Sequence, residues 1–184
     1  GNPRFAFTSL EMRRFQKDAT EILVPHLFEL PNPQKGSAGG KRKQWTEARF
    51  FETIAERLIP ETAALIRDVY DWSKAKADRV WFGIGEETGS FTFHYLLNGK
   101  TVSVFSVYTS GKLTVNYGWL SVIVKPDEMQ WLHQNLTAIP TFQNIPADFK
   151  RWPSIQVEKT LSTNPQELEQ FKTTVEEFGK RIGR

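Results

Sequence analysis

Apolar and polar residues alternate along residues 79–119, RVWFGIGEETGSFTFHYLLNGKTVSVFSVYTSGKLTVNYGW. Alternation with a period of two is typical of a β-strand that buries one of its faces. Asn98-Gly99 predicts a two-residue hairpin turn because both residues tolerate a positive φ angle, and Ser110-Gly111 predicts a second turn. The stretch therefore predicts a four-stranded antiparallel β-meander.

The two turns define how the strands pair and which residues share a face. The predicted cross-strand pairs are Tyr95 with Val102, Phe93 with Val104, and Ser106 with Val115. One face then carries the large apolar residues Phe91, Phe93, Tyr95, Val102, Val104, Tyr108, Leu113, Val115, Tyr117 and Trp119. The opposite, polar face carries Thr92, His94, Ser103, Thr114 and Asn116, with Phe105 and Val107 as apolar exceptions. A shift of one residue would expose the aromatic residues to water, so we expect the register to be firm.

Apolar residues at spacings of three and four predict helices that flank the meander. Thr46 is placed to cap a helix through Leu58, and Pro60 begins a second helix that runs to about Ala77. A helix at residues 126–136, an edge strand at 155–157 and a last helix capped by Asn164 follow. The apolar stripe of the last helix consists of Leu168, Phe171, Val175, Phe178 and Ile182. We expect helices to pack on the aromatic face, which makes the fold class α+β.

The first 44 residues differ in composition from the rest. Thr8 and Glu11 form a capping box, which predicts a helix to about Val24 within a helical arm of residues 1–30. Residues 31–44 are rich in Pro, Gly, Ser and Lys and predict a flexible basic linker. Residues 45–184 then form a single α+β domain. The chain begins with Gly1 rather than methionine, so we expect it to be a piece of a longer protein.

Composition limits the chemistry and the location of the protein. The 184 residues include no cysteine, which excludes disulfides and cysteine-ligated zinc. No apolar run approaches the roughly 20 residues of a membrane span, and no secretory signal is visible. We therefore expect a cytoplasmic protein with no membrane partner. The net charge of +3 permits a polyanionic partner without requiring one.

No group of residues predicts an active site. His26, His94 and His133 are far apart and lack the spacing of metal ligands on a helix. Asp148 and Lys150 match the D-x-K pattern of nucleases, but they lie in a proline-rich stretch without a partner carboxylate. Chance explains that match better. We therefore assign no catalytic residue, metal or cofactor, and the sequence favours a binding function over an enzyme.

Two features of the meander permit a binding site. Gly83, Gly85 and Gly89 form either a structural turn or a ligand loop, and Glu86 and Glu87 between them would repel phosphate. The polar face is either a solvated surface or a recognition site for a small molecule or a base. The residues of that face are Thr92, His94, Ser103, Thr114 and Asn116.

Lys35, Lys41, Arg42 and Lys43 form a basic tract in the predicted linker. Flexible cationic segments bind the phosphates of DNA or RNA through counterion release, without reading the sequence. The alternative is that these charges only keep the linker soluble.

Several aromatic and glycine motifs resemble a known family. They are Trp45-Thr46-Glu47-Ala48-Arg49-Phe50-Phe51, Asp71-Trp72, Val80-Trp81-Phe82-Gly83-Ile84-Gly85, Gly89-Ser90-Phe91 and Asn116-Tyr117-Gly118-Trp119-Leu120. Together they are similar to an uncharacterised bacterial domain that often follows a nuclease-like domain of the PD-(D/E)XK type. The resemblance covers residues 45–184 and brings no catalytic residues with it. It implies an accessory module whose partner is an upstream nuclease-like domain.

Three functions are consistent with these observations. The first is a non-catalytic accessory module of a nuclease-type or DNA-processing protein that contacts DNA or RNA through the basic tract and the polar face. The second is a protein-interaction module that uses the first helix or the apolar stripe of the last one. The third is a small-molecule-binding domain that uses residues 83–89 and His94.

Overall fold

A computed structural model of the protein describes residues 8–17, 20–29, 44–159 and 164–184. The chain divides into two units, Gly1–Lys41 and Arg42–Arg184. The basic residues Lys35, Lys41, Arg42 and Lys43, and all of the predicted linker except Gln44, lie outside the described residues. Among the described residues, no helix combines the length and the apolar character needed to cross a membrane.

The first unit contains two antiparallel strands, β1 (Thr8–Lys17) and β2 (Thr20–Glu29). The helix predicted from Thr8 to about Val24, and with it the helical arm, is therefore wrong. Thr20, Ile22 and Val24 are β-branched residues at every second position, a pattern that favours a strand. Pro25 fits this strand because both strands of a two-stranded sheet are edges.

The second unit is an α+β fold, as predicted, with five sheet strands rather than four. Its helices and strands are α1 (Glu47–Arg57), α2 (Pro60–Lys76), β3 (Arg79–Phe82), β4 (Ser90–Leu97), β5 (Lys100–Tyr108), β6 (Lys112–Val115), α3 (Tyr117–Ile123), α4 (Pro126–Thr137), β7 (Ser154–Gln156) and α5 (Pro165–Arg181). Short 3-10 turns occupy Pro140–Phe142 and Val157–Lys159. The five strands pair antiparallel in the order β3-β4-β5-β6-β7.

Two helices begin where their capping residues predict. The Thr46 hydroxyl accepts a hydrogen bond from the Arg49 amide at 3.3 Å at the start of α1. The Asn164 side chain accepts one from the Gln166 amide at 3.2 Å, and Pro165 is the first residue of α5. These side chains satisfy amide groups that have no partner within the helix.

The first hairpin follows its prediction up to a β-bulge. Asn98 and Gly99 adopt φ angles of 49° and 76°, and Tyr95 pairs with Val102. The register then shifts between Phe93 and His94, so that Phe93 pairs with Phe105 instead of Val104. Because an extra residue on one strand moves its later side chains to the other face, the predicted pair of Phe93 with Val104 is wrong.

The second turn is one residue longer than predicted, with Gly111 at a φ angle of 74°. Phe105 therefore pairs with Val115, where the sequence predicted Ser106. Phe105 and Val107 now belong to the aromatic face, so they are not exceptions on the polar one. Tyr108 pairs with Ser90 and joins the polar face, and Tyr117 and Trp119 lie in α3 rather than in a strand.

Helices cover the aromatic face of the sheet, as the sequence predicted. From α1 and α2, the rings of Phe50 and Tyr70 lie 5.4 and 5.2 Å from that of Phe91. The α5 residue Phe171 lies edge-on to Phe105 at 5.2 Å. The apolar stripe of α5 is thus part of the core, and the part of the sheet left accessible is on its polar face.

Candidate functional site

A concavity of about 580 Å³ lies on the polar face of the sheet. We call it the tryptophan groove. We call the loop of residues 83–89 the glycine loop. The groove is lined by the strand residues Trp81, Ser90, Thr92, Ser106 and Tyr108, by Gly83, Ile84 and Thr88 of the glycine loop, and by Asn116, Trp119 and Trp152 from later segments. None of these side chains is charged, so the groove offers aromatic surface and neutral hydrogen-bonding groups.

Two exposed tryptophans form one wall of the groove. Trp119 in α3 is 61 % exposed, and Trp152, shortly before β7, is 48 % exposed. Their ring centroids are 5.9 Å apart with planes inclined at 66°. Trp152 can lie against α3 because Gly118 has no Cβ: an added Cβ there would fall 2.4 Å from Trp152 Cζ2. The Gly118 amide also donates a hydrogen bond of 2.9 Å to the Arg151 carbonyl, which holds the two segments together.

A buried chain of hydrogen bonds forms the floor. Thr92 on β4 pairs with Ser106 on β5, and their hydroxyl oxygens are 2.9 Å apart. Asn116 Nδ2 donates to Ser106 Oγ at 3.1 Å, although Asn116 is only 4 % exposed. Ser106 can then donate its own hydrogen to Thr92, which leaves the Thr92 hydroxyl hydrogen available. Asn116 Oδ1 accepts no hydrogen bond from any described residue, so the floor presents one donor and one acceptor.

The glycine loop forms the rim of the groove and is held by the segment that leads into α1. Gln44 pairs with Ile84, and its side chain donates to the Phe82 carbonyl at 3.0 Å. The Trp45 amide donates to the Gly83 carbonyl, and its indole Nε1 donates to the Gly85 carbonyl, both at 2.9 Å. Gln44 and Trp45, the first described residues of this unit, therefore hold the loop that lines the groove. Arg42 and Lys43 are the two residues that precede Gln44 in the sequence.

The predicted polar-face residues divide into two groups. Thr92 and Asn116 line the groove, and Thr114 pairs with Ser106 beside it. His94 and Ser103 pair with each other as predicted, but they lie beyond the bulge and do not line the groove.

His94 is a buried structural residue, because it is only 7 % exposed. Burial lowers its pKa to about 4, and the positive charge of Arg79 acts in the same direction. The imidazole is therefore neutral at pH 7. Its Nδ1 atom has no hydrogen-bond partner among the described residues.

Sequence reasoning missed most of the aromatic lining. Tyr108 and Trp119 were assigned to the aromatic face, since neither the bulge nor the start of α3 has a clear local signal. Trp152 lies in an irregular proline-rich segment, where no periodicity predicts its direction. Trp81 on β3 was the one wall residue that a careful extension of the register assigns, because it pairs with Thr92.

The polar side-chain groups that line the groove are hydroxyls, one amide and the indole N–H groups. Among the described residues, no three His, Asp or Glu side chains are grouped so as to hold a metal ion. Asp148 accepts a hydrogen bond from the Lys150 amide at 3.0 Å and pairs with Arg151 at 2.9 Å. The D-x-K match therefore serves a local turn. The groove is equipped to bind a neutral group by contact and hydrogen bonding.

A second concavity, of about 700 Å³, lies between α4 and α5. Its lining is mostly amide and hydroxyl side chains on helix surfaces, including Asn135, Gln166 and Thr173, with no aromatic ring. It lacks the aromatic walls of the tryptophan groove, which is therefore the stronger candidate for binding a ring.

No protein-family model, curated protein or solved structure matches this chain.

Proposed function

We propose that this chain is a non-catalytic accessory module of a nuclease-type or DNA-processing protein in the cytoplasm, and that it contacts nucleic acid through the tryptophan groove. An upstream nuclease-like domain is its proposed partner. One observation carries the proposal: the exposed Trp119 and Trp152 form a wall beside a buried, neutral, hydrogen-bonding floor. Proteins that bind single strands use aromatic side chains of this kind as platforms on which bases stack.

In this proposal the basic tract supplies the positive charges for phosphate contacts, which the lining of the groove does not contain. No charged side chain lines the groove, so phosphates need cations elsewhere. Lys41, Arg42 and Lys43 precede Gln44, which pairs with Ile84 at the rim. Cationic segments contribute affinity that falls steeply with salt, whereas stacking on tryptophan depends little on it.

A titration of fluorescent oligonucleotides tests the proposal. Single- and double-stranded DNA and RNA would be titrated by anisotropy at low and moderate salt, with the wild type and a Lys41→Glu, Arg42→Glu, Lys43→Glu variant. We expect tight, salt-sensitive binding by the wild type and its loss, together with the salt dependence, in the variant.

A matched control distinguishes the loss of the basic tract from a general effect of the change in net charge. Lys100→Glu, Lys125→Glu and Lys180→Glu change the net charge by the same amount at three exposed positions of the second unit. This control variant is expected to keep most of the affinity. Equal binding by the wild type and the tract variant would contradict the role of Lys41, Arg42 and Lys43.

A small-molecule-binding domain is the second candidate, because residues of the glycine loop line the groove. His94 takes no part in it, contrary to the expectation from the sequence. The protein-interaction alternative has less support from its predicted surfaces. In the α5 stripe Leu168, Phe171, Val175 and Phe178 are buried and Ile182 is half-buried, and the predicted first helix is a pair of strands. Binding of a free nucleoside without any oligonucleotide binding would favour the small-molecule candidate.

A further inference from the structure

The lining of the tryptophan groove restricts what part of a ligand can enter it. A phosphate or another ionised group would lose its hydration there without meeting a charged partner, which is costly. A neutral ring, in contrast, gains contact with indole surface and replaces water on Trp119 and Trp152, which are largely exposed. The lining therefore disfavours an anionic group and favours a neutral ring.

The two exposed tryptophans provide a corner for a flat ring. The ring planes are inclined at 66° and the centroids are 5.9 Å apart, so a planar group that stacks on one indole is inclined by the same angle to the other. Aromatic rings prefer stacked and edge-to-face contacts. Trp81, opposite Thr92 on the neighbouring strand, adds a third ring to the lining.

The floor offers a donor and an acceptor within one hydrogen-bonded chain. Asn116 Oδ1 is the unpartnered acceptor of a residue that is almost completely buried, and the Thr92 hydroxyl is the available donor. A nucleobase displays neighbouring donors and acceptors along its Watson–Crick edge. In a duplex this edge is paired and unavailable, whereas in a single strand it is free.

Resting on the proposed function, we infer that the groove holds one unpaired base of a single-stranded nucleic acid, stacked on Trp119 or Trp152 with its edge on Thr92 and Asn116. The phosphates of the strand lie outside the groove, because no charged side chain lines it. The module therefore distinguishes single strands from duplexes.

The test uses the full chain and compares the contribution of the nucleobases to binding with that of the phosphate charges. The probes are a fluorescent oligothymidine, an abasic strand of the same length and charge, and a duplex. The variants are Trp119→Ala with Trp152→Ala, Thr92→Val, and Trp131→Ala as a matched control on α4 outside the groove. We expect the double variant to bind oligothymidine about tenfold or more weakly, and Thr92→Val several-fold more weakly. Trp131→Ala is expected to bind like the wild type.

The wild type is also expected to bind the abasic strand and the duplex as weakly as the double variant binds oligothymidine. Equal affinity for the abasic strand and oligothymidine, with loss of both in the basic-tract variant, would overturn this inference and leave the proposed function intact. Absence of binding to every oligonucleotide at low salt would overturn both. Quenching of tryptophan fluorescence by a neutral glucan oligosaccharide, and not by oligonucleotides, would assign the groove to carbohydrate instead.

Discussion

Gly118 and His94 illustrate how single residues shape this face of the sheet in opposite ways. Gly118 makes room for the Trp152 ring, so a missing side chain creates part of the groove wall. His94 fills space beside the groove and is excluded from water. The Nδ1 atom of its ring has no hydrogen-bond partner among the described residues. Because burial lowers the pKa of this ring, folding changes the pH at which His94 binds a proton.

The stability of the protein is predicted to fall between about pH 6.5 and pH 4 because of His94. Burial lowers its pKa from 6.5 to about 4 in the folded state, so in this range the unfolded chain binds a proton that the folded chain rejects. The loss amounts to about 3 kcal/mol when complete, and it is absent above pH 7. Urea unfolding of the wild type and His94→Gln at several pH values measures it.

The difference between the two proteins isolates His94 from other groups that titrate in the same range. Glu167 and Glu176 have lowered pKa values caused by their hydrogen bonds with Thr141 and Trp72, and they remain in both proteins. Burial also lowers the pKa of His133, so His133→Gln measures separately the part of the pH dependence that comes from this second histidine. Parallel pH dependences for the wild type and His94→Gln would contradict the prediction.

At the scale of the element, α5 has one face in the core and one in solvent. Phe171 is stacked on Phe142 at 5.3 Å and contacts Phe105 edge-on, while Thr173, two positions further along, is exposed. The apolar stripe of α5 therefore packs in the core of the domain. From the sequence alone, the same stripe was also consistent with a surface that binds another protein.

Removing one ring from this stripe is predicted to be costly. Phe171→Ala leaves a cavity between the sheet and the helix and should lower the free energy of unfolding by about 3–5 kcal/mol. Thr173→Ala on the exposed side is the control and should change it by less than about 0.5 kcal/mol. Denaturant titration compares the two, and a similarly small effect of both substitutions would show that the stripe is not packed in the core.

At the scale of the molecule, the unit Arg42–Arg184 has a hydrophobic core of its own. The buried apolar residues of the described chain extend from Trp45 to Phe178, and they form one cluster. Both the sheet and the tryptophan groove belong to this unit.

A fragment of residues 42–184 is therefore predicted to fold without residues 1–41. Its unfolding should be cooperative, with a midpoint close to that of the corresponding transition in the full chain, because it retains every contact of the core. Circular dichroism during thermal unfolding measures this. An unfolded fragment, or one without a cooperative transition, would contradict the prediction.

Local chemistry accounts for what could be predicted from the sequence. The Asn98-Gly99 turn, the capping residues Thr46 and Asn164 and the apolar stripe of α5 each depend on residues a few positions apart. The α+β class and the covered aromatic face follow from the same short-range patterns. In contrast, the strands of residues 8–17 and 20–29 form by pairing with each other. Nearby residues do not reveal this pairing, and the capping pattern at Thr8 predicted a helix instead.

The sequence by itself thus determined the α+β class, the Asn98-Gly99 hairpin and the capped starts of α1 and α5, because side-chain periodicity, turn chemistry and capping act locally. Only the tertiary structure decided where the groove lies. Its walls combine Trp81, Trp119 and Trp152 from segments far apart in the chain, joined by the pairing of β3 with β4 and of β6 with β7. The bulge beside His94 also moved Tyr108 into the groove. Packing selects such a register shift because it buries Phe105 and Val107, a gain that depends on helices elsewhere in the chain.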